Sequence, residues 1–372
     1  MKNIIFVVED AIYANDGYKS RIQMEMDILS AEEVNFIVLA PNSKKNKIEF
    51  MNQAKIVYFK AFSPKIPFVL NKYFLISKLR KTINEFKNSI IICEALPSAV
   101  CVYDFCKKND IKFVFDCHGT APDEVYLYHK NFCGLLFSHW LRNQEKKVVD
   151  CASLIVVVSE SEVKHLNLNV RNKEYVILPM IPSNIFFNQS DSRNLIREKL
   201  NVDSKAKVFV YAGQNQKWQM SKETVMFYKK IEENCKNTFL LILTRQKADF
   251  TNLCLGMKVR NFSVITSSYA DMPKYLDACD YGFCLRADHI INRVSSPTKV
   301  LEYISRNVRP IITEYVGDYS ECLQKEDLGD VVDINEIFIP KKLNDKSKSK
   351  QFLDKMMNLK FVYISKLKKL MN

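Results

Sequence analysis

The chain has 372 residues, long for one domain and comfortable for two, and its 47% hydrophobic and 26% charged content is that of a soluble globular protein. No apolar run reaches the ~18–20 residues that cross a bilayer, which excludes an integral membrane protein but not peripheral contact. The net charge of +13, from 55 Lys+Arg against 42 Asp+Glu, suggests a polyanionic partner or an anionic membrane surface. Zinc-finger spacing and RNP-like or KH-like signatures are absent, which argues against nucleic acid. Eleven scattered cysteines, an odd number, do not form a disulfide framework. The apolar opening at 4–8 is stopped by Glu9 and Asp10, so no signal peptide is expected and reduced thiols in the cytoplasm are.

Apolar runs at 2–8, 35–40 and 55–59, with a helical pattern at 18–31, predict strands of a parallel sheet with crossover helices. Gly17 stands before the first helix, where a glycine lets a ligand approach the backbone. Lys19 and Arg21 oppose the helix dipole in that first turn, which means either an anion nearby or a solvated face. Basic and aromatic residues interleave over 60–81, the pattern either of a rest on an anionic membrane or of a core-facing helix with outward lysines. Strands at 89–93 and 112–116 flank a helix at 98–109. The loop Asp116-Cys117-His118-Gly119-Thr120 then lies beyond a strand's carboxyl end, where open parallel sheets bind ligands, and it makes His118 the best histidine candidate. His129 and Cys133 lack the further ligands of a metal site. A helix at 135–152, a strand at 154–159 and a strand at 174–180 complete a first domain, 1–180.

The alternation restarts with a helix at 192–200, a strand at 207–212 ending at Gly213, and helices and strands at 221–234, 238–244, 263–267, 270–279 and 281–285. Strands at 309–314 and 330–334 close the second domain, 181–342, and residues 343–372 are expected to form a terminal helix. The reading is α/β: two doubly wound domains facing each other across a cleft. The segment 283–318 holds the site candidates. Ser296 is expected to cap a helix with Pro297 at its first position, and Lys299 and Glu302, three apart, share one face near that end. A helix N-terminus with a lysine suits a phosphate, and a glutamate nearby suits a sugar diol, the outline of a nucleotide. The alternative is an ordinary capped helix with a solvated Lys–Glu pair. No P-loop, H-E-x-x-H, G-x-S-x-G or Asp-x-Asp triplet is present, so a bound diphosphate falls to Arg286, Lys299, Lys217 or Lys222 and helix N-termini.

Ser296-Pro297-Thr298-Lys299-x-x-Glu302-Tyr303, followed by a strand and Val316-Gly317-Asp318, resembles the family-four (group 1) retaining glycosyltransferases, whose GT-B architecture is two facing Rossmann-like domains. The segments 154–160, 176–179, Tyr211-Ala212-Gly213, 272–276 and Asp280-Tyr281-Gly282 match its style. The resemblance implies transfer of a sugar from a UDP- or GDP-linked donor to a glycan or lipid-linked acceptor of bacterial surface polysaccharide. It implies retention of configuration, no metal and no other cofactor, in the cytoplasm or on the inner face of the plasma membrane. It puts Glu302 on the ribose, Lys299 and Arg286 on the diphosphate with Gly17, Gly213, Lys217, Ser296 and Thr298 around the donor, and His118 facing the transferred sugar. The family's E-x7-E signature places a glutamate at 294, where this chain has Val294; Asp288 and Asn292 are the nearest polar substitutes. Asn307 stands where a helix-ending glycine is common, and asparagine tolerates the left-handed conformation needed there. The alternatives are a nucleotide-sugar epimerase on the same architecture, which needs no acceptor, and a binding protein without turnover.

Overall fold

The structure is a computed structural model that describes residues 2–8, 17–42, 50, 54–61, 68–188, 192–216, 218–341 and 343–372. Two compact units emerge: residues 1–180 with 358–372, and residues 181–357.

The first unit is built on β1 (Lys2–Val7), β2 (Val34–Pro41), β3 (Lys55–Phe59), β4 (Ser89–Glu94), β5 (Phe113–Asp116), β6 (Leu154–Val157) and β7 (Tyr175–Ile177), in the order β3-β2-β1-β4-β5-β6-β7. Every pairing is parallel. The second unit holds β8 (Lys207–Ala212), β9 (Thr238–Leu243), β10 (Phe262–Ile265), β11 (Tyr281–Cys284), β12 (Arg309–Ile312) and β13 (Asp330–Val331), again all parallel, in the order β10-β9-β8-β11-β12-β13. Both orders reverse direction once, at β1/β4 and at β8/β11, the doubly wound arrangement. Helices cover both faces of such sheets, so the strands read as unbroken apolar runs: Ile4 to Val7 and Val208 to Ala212 are buried throughout.

Strand positions follow the expectation within a few residues. Among the described residues four α-helices were not expected, one of them the single turn Ile290–Arg293. Ala121–Tyr128 follows the Asp116–Thr120 loop directly, and Pro122, Asp123 and Glu124 in its first turn are a helix start. Lys247–Gly256 buries only Phe250 and Cys254, too sparse a stripe to register as periodic. Tyr319–Glu326 follows Gly317 and Asp318 directly. The terminal helix, Lys346–Met371, is divided between the two units. No described helix is long and apolar enough to cross a membrane.

Within 60–81, residues 62–67 lie outside the described residues. The helix Lys72–Glu85 turns Leu75, Leu79 and Thr82 inward. Lys72 Nζ lies 2.9 Å from Asp104 Oδ2, and Lys60 stands 5.7 Å over the Phe74 ring. Tyr73 is 81% exposed, and Leu70 is exposed as well. All eleven cysteines are free thiols, seven of them buried.

Candidate active site

In the second unit, β8 and β11 lie side by side, with Phe283 opposite Tyr211, so the loops leaving their carboxyl ends begin together. Gly213 leaves β8, and a Cβ there would stand 2.6 Å from both Lys299 Nζ and Gln219 Oε1; the missing side chain is what lets the ammonium come down onto the backbone. Arg286 follows β11. Its backbone N–H donates to Thr313 Oγ1 (2.9 Å), and the same hydroxyl donates back to its carbonyl (2.6 Å), so the residue is fixed from β12's side. Arg286 is 5% exposed, and its Nη1 donates to the Leu285 carbonyl at 3.2 Å.

The helix Thr298–Ser305 turns Val300, Leu301, Glu302, Tyr303 and Ile304 inward. The Tyr303 ring fills the space a Cβ on Gly282 would take, and its hydroxyl donates to the Phe283 carbonyl (3.3 Å), which fixes the helix against β11. Two expectations are corrected here. Pro297 is the N-cap, not the first helical residue, because its backbone is extended (φ −67°, ψ 121°). Ser296 is therefore one residue too early to cap, and its hydroxyl pairs with the Tyr319 hydroxyl at 3.2 Å. The first turn, with Thr298 at its start, thus has no side-chain cap; the Val300 N–H donates to the Pro297 carbonyl (3.2 Å), which leaves the Thr298 and Lys299 N–H groups for another acceptor.

Lys299 and Glu302 are not a solvated pair. Lys299 is half-buried over the Tyr211 ring (5.3 Å), with Nζ 3.2 Å from Gln219 Oε1. Burial, and then the Arg286 charge, push its ammonium down to about 8. Glu302 is 5% exposed, and burial pushes its carboxyl up to about 7 against the Tyr269 hydrogen bond and the Lys299 charge. Among the described residues neither Arg286 nor Lys299 makes an ion pair.

The residues near the missing carboxylate are tied up locally. Val294 is buried at 1% exposure. Asn292 is buried and donates through Nδ2 to the Ala287 carbonyl (2.9 Å), while Asp288 pairs with Arg293 at the surface (2.7 Å). Asn292 thus closes its own loop. Lys217 lies outside the described residues. Asn307 adopts the expected left-handed conformation, φ 57°.

In the first unit, Gly17 is the opening residue of the helix Gly17–Leu29. β4 and β5 end in register at Glu94 and Asp116, with His118 two residues on. His118 Nε2 lies 2.8 Å from Asp116 Oδ2 and 2.9 Å from Glu94 Oε2. The Gly17–Leu29 helix brings up Arg21, whose Nε and Nη2 clasp both Asp116 oxygens (2.8 and 2.9 Å) while Nη1 donates to the Leu178 carbonyl. The anion suggested by Arg21's place in its helix is thus the protein's own. Glu25, one turn on, is 3.2 Å from Arg21 and accepts from the Tyr363 hydroxyl of the terminal helix. Burial alone would lower the His118 imidazole, but the Asp116 charge and the bonds to Asp116 and Glu94 hold it up at about 10. Arg21 and His118 likewise hold the Asp116 carboxyl far below the usual range in spite of burial. Glu94, Asp116 and His118 have metal-ligand chemistry, with donor atoms within 4.8 Å of one another, and the Arg21 guanidinium already clasps both Asp116 oxygens. His118 also lines a pocket of about 310 Å³ with Leu96, Pro97, Gly119, Glu124 and Tyr128.

Sequence reasoning missed Tyr269, Gln219, Glu94 and the partnership of Arg21 with Asp116. Each is a contact between residues far apart in the chain, and only the odd placement of Arg21 left a trace in the sequence.

Residues 28–180 match the family described as Glycosyltransferase Family 4. No curated protein sequence matches the chain significantly. Solved structures similar over the whole chain include sucrose-phosphate synthase from Thermosynechococcus elongatus (13% identity, 100% of this chain and 95% of that one, TM-score 0.71). Another is Anabaena HepE in complex with UDP (11%, 99% and 100%, TM-score 0.68). A third is WaaG, a glycosyltransferase involved in lipopolysaccharide biosynthesis (12%, 98% and 93%, TM-score 0.64). At these identities the likeness is one of fold. The family match thus covers residues 28–180, and over the whole chain the likeness is to the two-domain GT-B fold of these glycosyltransferases.

Proposed function

We propose that the protein moves a sugar from a UDP- or GDP-linked donor to a glycan or lipid-linked acceptor in surface polysaccharide synthesis, with retention of configuration and without a metal ion. The observation that carries this reading is the Arg286–Lys299 pair. A buried guanidinium whose charge weighs on a half-buried ammonium, without an ion pair among the described residues and at a helix N-terminus with no side-chain cap, is unfavourable unless an anion joins the two cations. A diphosphate has the charge and the oxygen count. Glu302, deeper on the same helix, would accept from the ribose diol. HepE has been solved with UDP and with UDP-glucose, and another similar structure, trehalose-6-phosphate from E. coli, is bound with UDP-2-fluoro glucose, which supports a UDP-linked donor. WaaG's part in lipopolysaccharide synthesis supports the acceptor class.

In this reading the cations and the helix N-terminus stabilise the departing diphosphate, a preorganised electrostatic role. The acceptor hydroxyl attacks the anomeric carbon from the face the diphosphate leaves, and a phosphate oxygen takes its proton. His118, charged at neutral pH, would act as a hydrogen-bond donor to a sugar hydroxyl rather than as a base.

The test is thermal unfolding with millimolar UDP, GDP, ADP and CMP. A ligand at one hundred times its Kd stabilises by roughly 2.7 kcal/mol, a rise of several degrees. At least one nucleotide should give it, and Lys299→Ala or Glu302→Ala should abolish transfer while the protein stays folded. No shift with any nucleotide, or full activity in both variants, overturns the assignment. Product formed from the donor alone would indicate epimerase chemistry instead.

A further inference from the structure

Glu302 has a partner that neither its helix nor its motif supplies. Tyr269 opens the 3-10 turn Tyr269–Asp271 that leaves β10, and its hydroxyl lies 3.0 Å from Glu302 Oε1. The turn is fixed by Ser268, whose Oγ accepts from the Asp271 N–H at 3.2 Å. The Tyr269 ring rests on Phe186, with centroids 5.4 Å apart. The Ser183 backbone hydrogen-bonds the same phenol oxygen, which leaves the phenol proton for Glu302.

We infer that Tyr269 is a positioning residue for the carboxylate that reads the ribose: its hydroxyl donates to Oε1, aims Glu302 and keeps it ionised, so that both carboxylate oxygens accept from the diol. The inference rests on the reading of Glu302 as the ribose contact. A buried carboxylate stays charged only where donors or cations compensate the lost water. The groups facing Glu302 are the Tyr269 hydroxyl, the Lys299 ammonium one turn earlier and the neighbouring Tyr303 phenol. Tyr269 supplies the direct hydrogen bond, and Lys299 acts through space. With both in place the carboxyl stands at about 7. Without the phenol it would rise further and take a proton at neutral pH. One of its oxygens would then be a donor facing a donor, and the ribose would lose an acceptor.

The experiment measures the affinities for UDP and 2′-deoxy-UDP, and for the matching GDP pair, by calorimetry from pH 6 to 9. The ratio within each pair cancels whatever pH does to the phosphates and to Lys299. The wild-type protein should prefer the ribonucleotide by about tenfold at pH 8, with the preference fading below pH 7. In Tyr269→Phe, which keeps the ring on Phe186, the preference should collapse at pH 7 and return near pH 9. An unshifted profile in Tyr269→Phe, or a loss equal at every pH, overturns the inference, because packing alone does not titrate. A wild-type protein that does not discriminate at any pH, or a Glu302→Gln variant that discriminates as well as wild type, overturns the ribose reading itself.

Discussion

Lys299 and Glu302 are held against their own stability. A lysine pushed from 10.5 to about 8 is easier to deprotonate folded than unfolded, so the unfolded chain binds more protons between those values and stability rises with pH through that window. A carboxyl raised from 4.5 to about 7 does the reverse: the folded state binds more protons between 4.5 and 7, and stability falls as pH climbs through it. Both costs are therefore present together near pH 7 to 8. Lys299→Met keeps the stem over the Tyr211 ring and removes the charge, so it should raise the thermal stability of the nucleotide-free protein at pH 7.5 by about 1–2 kcal/mol. The same variant should lose most of the stabilisation given by millimolar UDP or GDP. Calorimetric melting with and without nucleotide checks both halves; a Lys299→Met protein less stable than wild type would mean that the ammonium is satisfied where it sits.

The loop before the Thr298–Ser305 helix decides where that helix begins, and Gly317 decides the loop. Gly317 has φ +50°, and a Cβ there would stand 2.0 Å from the Ser295 carbonyl oxygen, while its N–H donates to the Asn292 carbonyl at 3.1 Å. Gly317→Ala should cost about 1–3 kcal/mol in urea unfolding and weaken nucleotide binding, because the carbonyl that must move belongs to the turn that sets the helix N-terminus. Wild-type binding in that variant would uncouple loop from site. How much of this was legible in the sequence follows from chain distance. The helix, its lysine and its glutamate are local and periodic, so spacing was enough to pair Lys299 with Glu302. The Ser296 cap failed by one residue because the sequence does not say whether Pro297 is the first helical residue or extended backbone before it. Tyr269 with Glu302, and Arg21 with Asp116, are joined by sheet order across 33 and 95 residues, and no local pattern encodes such a meeting. The strands were read correctly because burial on both sides of a parallel sheet writes itself as an apolar run. The helix Lys247–Gly256 was missed because most of it faces solvent.

At the scale of the whole chain, the last fifteen residues belong with the first unit, and what they bring is a phenol. Tyr363, fully buried, donates to Glu25, whose other oxygen lies 3.2 Å from Arg21; Arg21 clasps Asp116, and Asp116 with Glu94 holds His118. Three buried carboxylates, a buried guanidinium and a partly exposed imidazole are thus kept in one network, and each group is expensive as soon as a neighbour leaves. Burial already raises the Glu25 carboxyl well above its usual range, with the Asp116 and Glu94 charges pushing the same way and Arg21 opposing them. Tyr363→Phe takes away a donor and raises it further. The sign then follows: a carboxyl whose folded value lies above its unfolded one loses stability as pH rises from the unfolded value to the folded one, and the variant extends that loss upward. The penalty should therefore be larger at pH 8 than at pH 5, by about 1–3 kcal/mol. Urea unfolding of the full chain at the two pH values, followed by the tyrosine and tryptophan signals, measures it. A penalty independent of pH would mean that Tyr363 contributes packing alone, and that the charge network under His118 does not depend on the terminal helix.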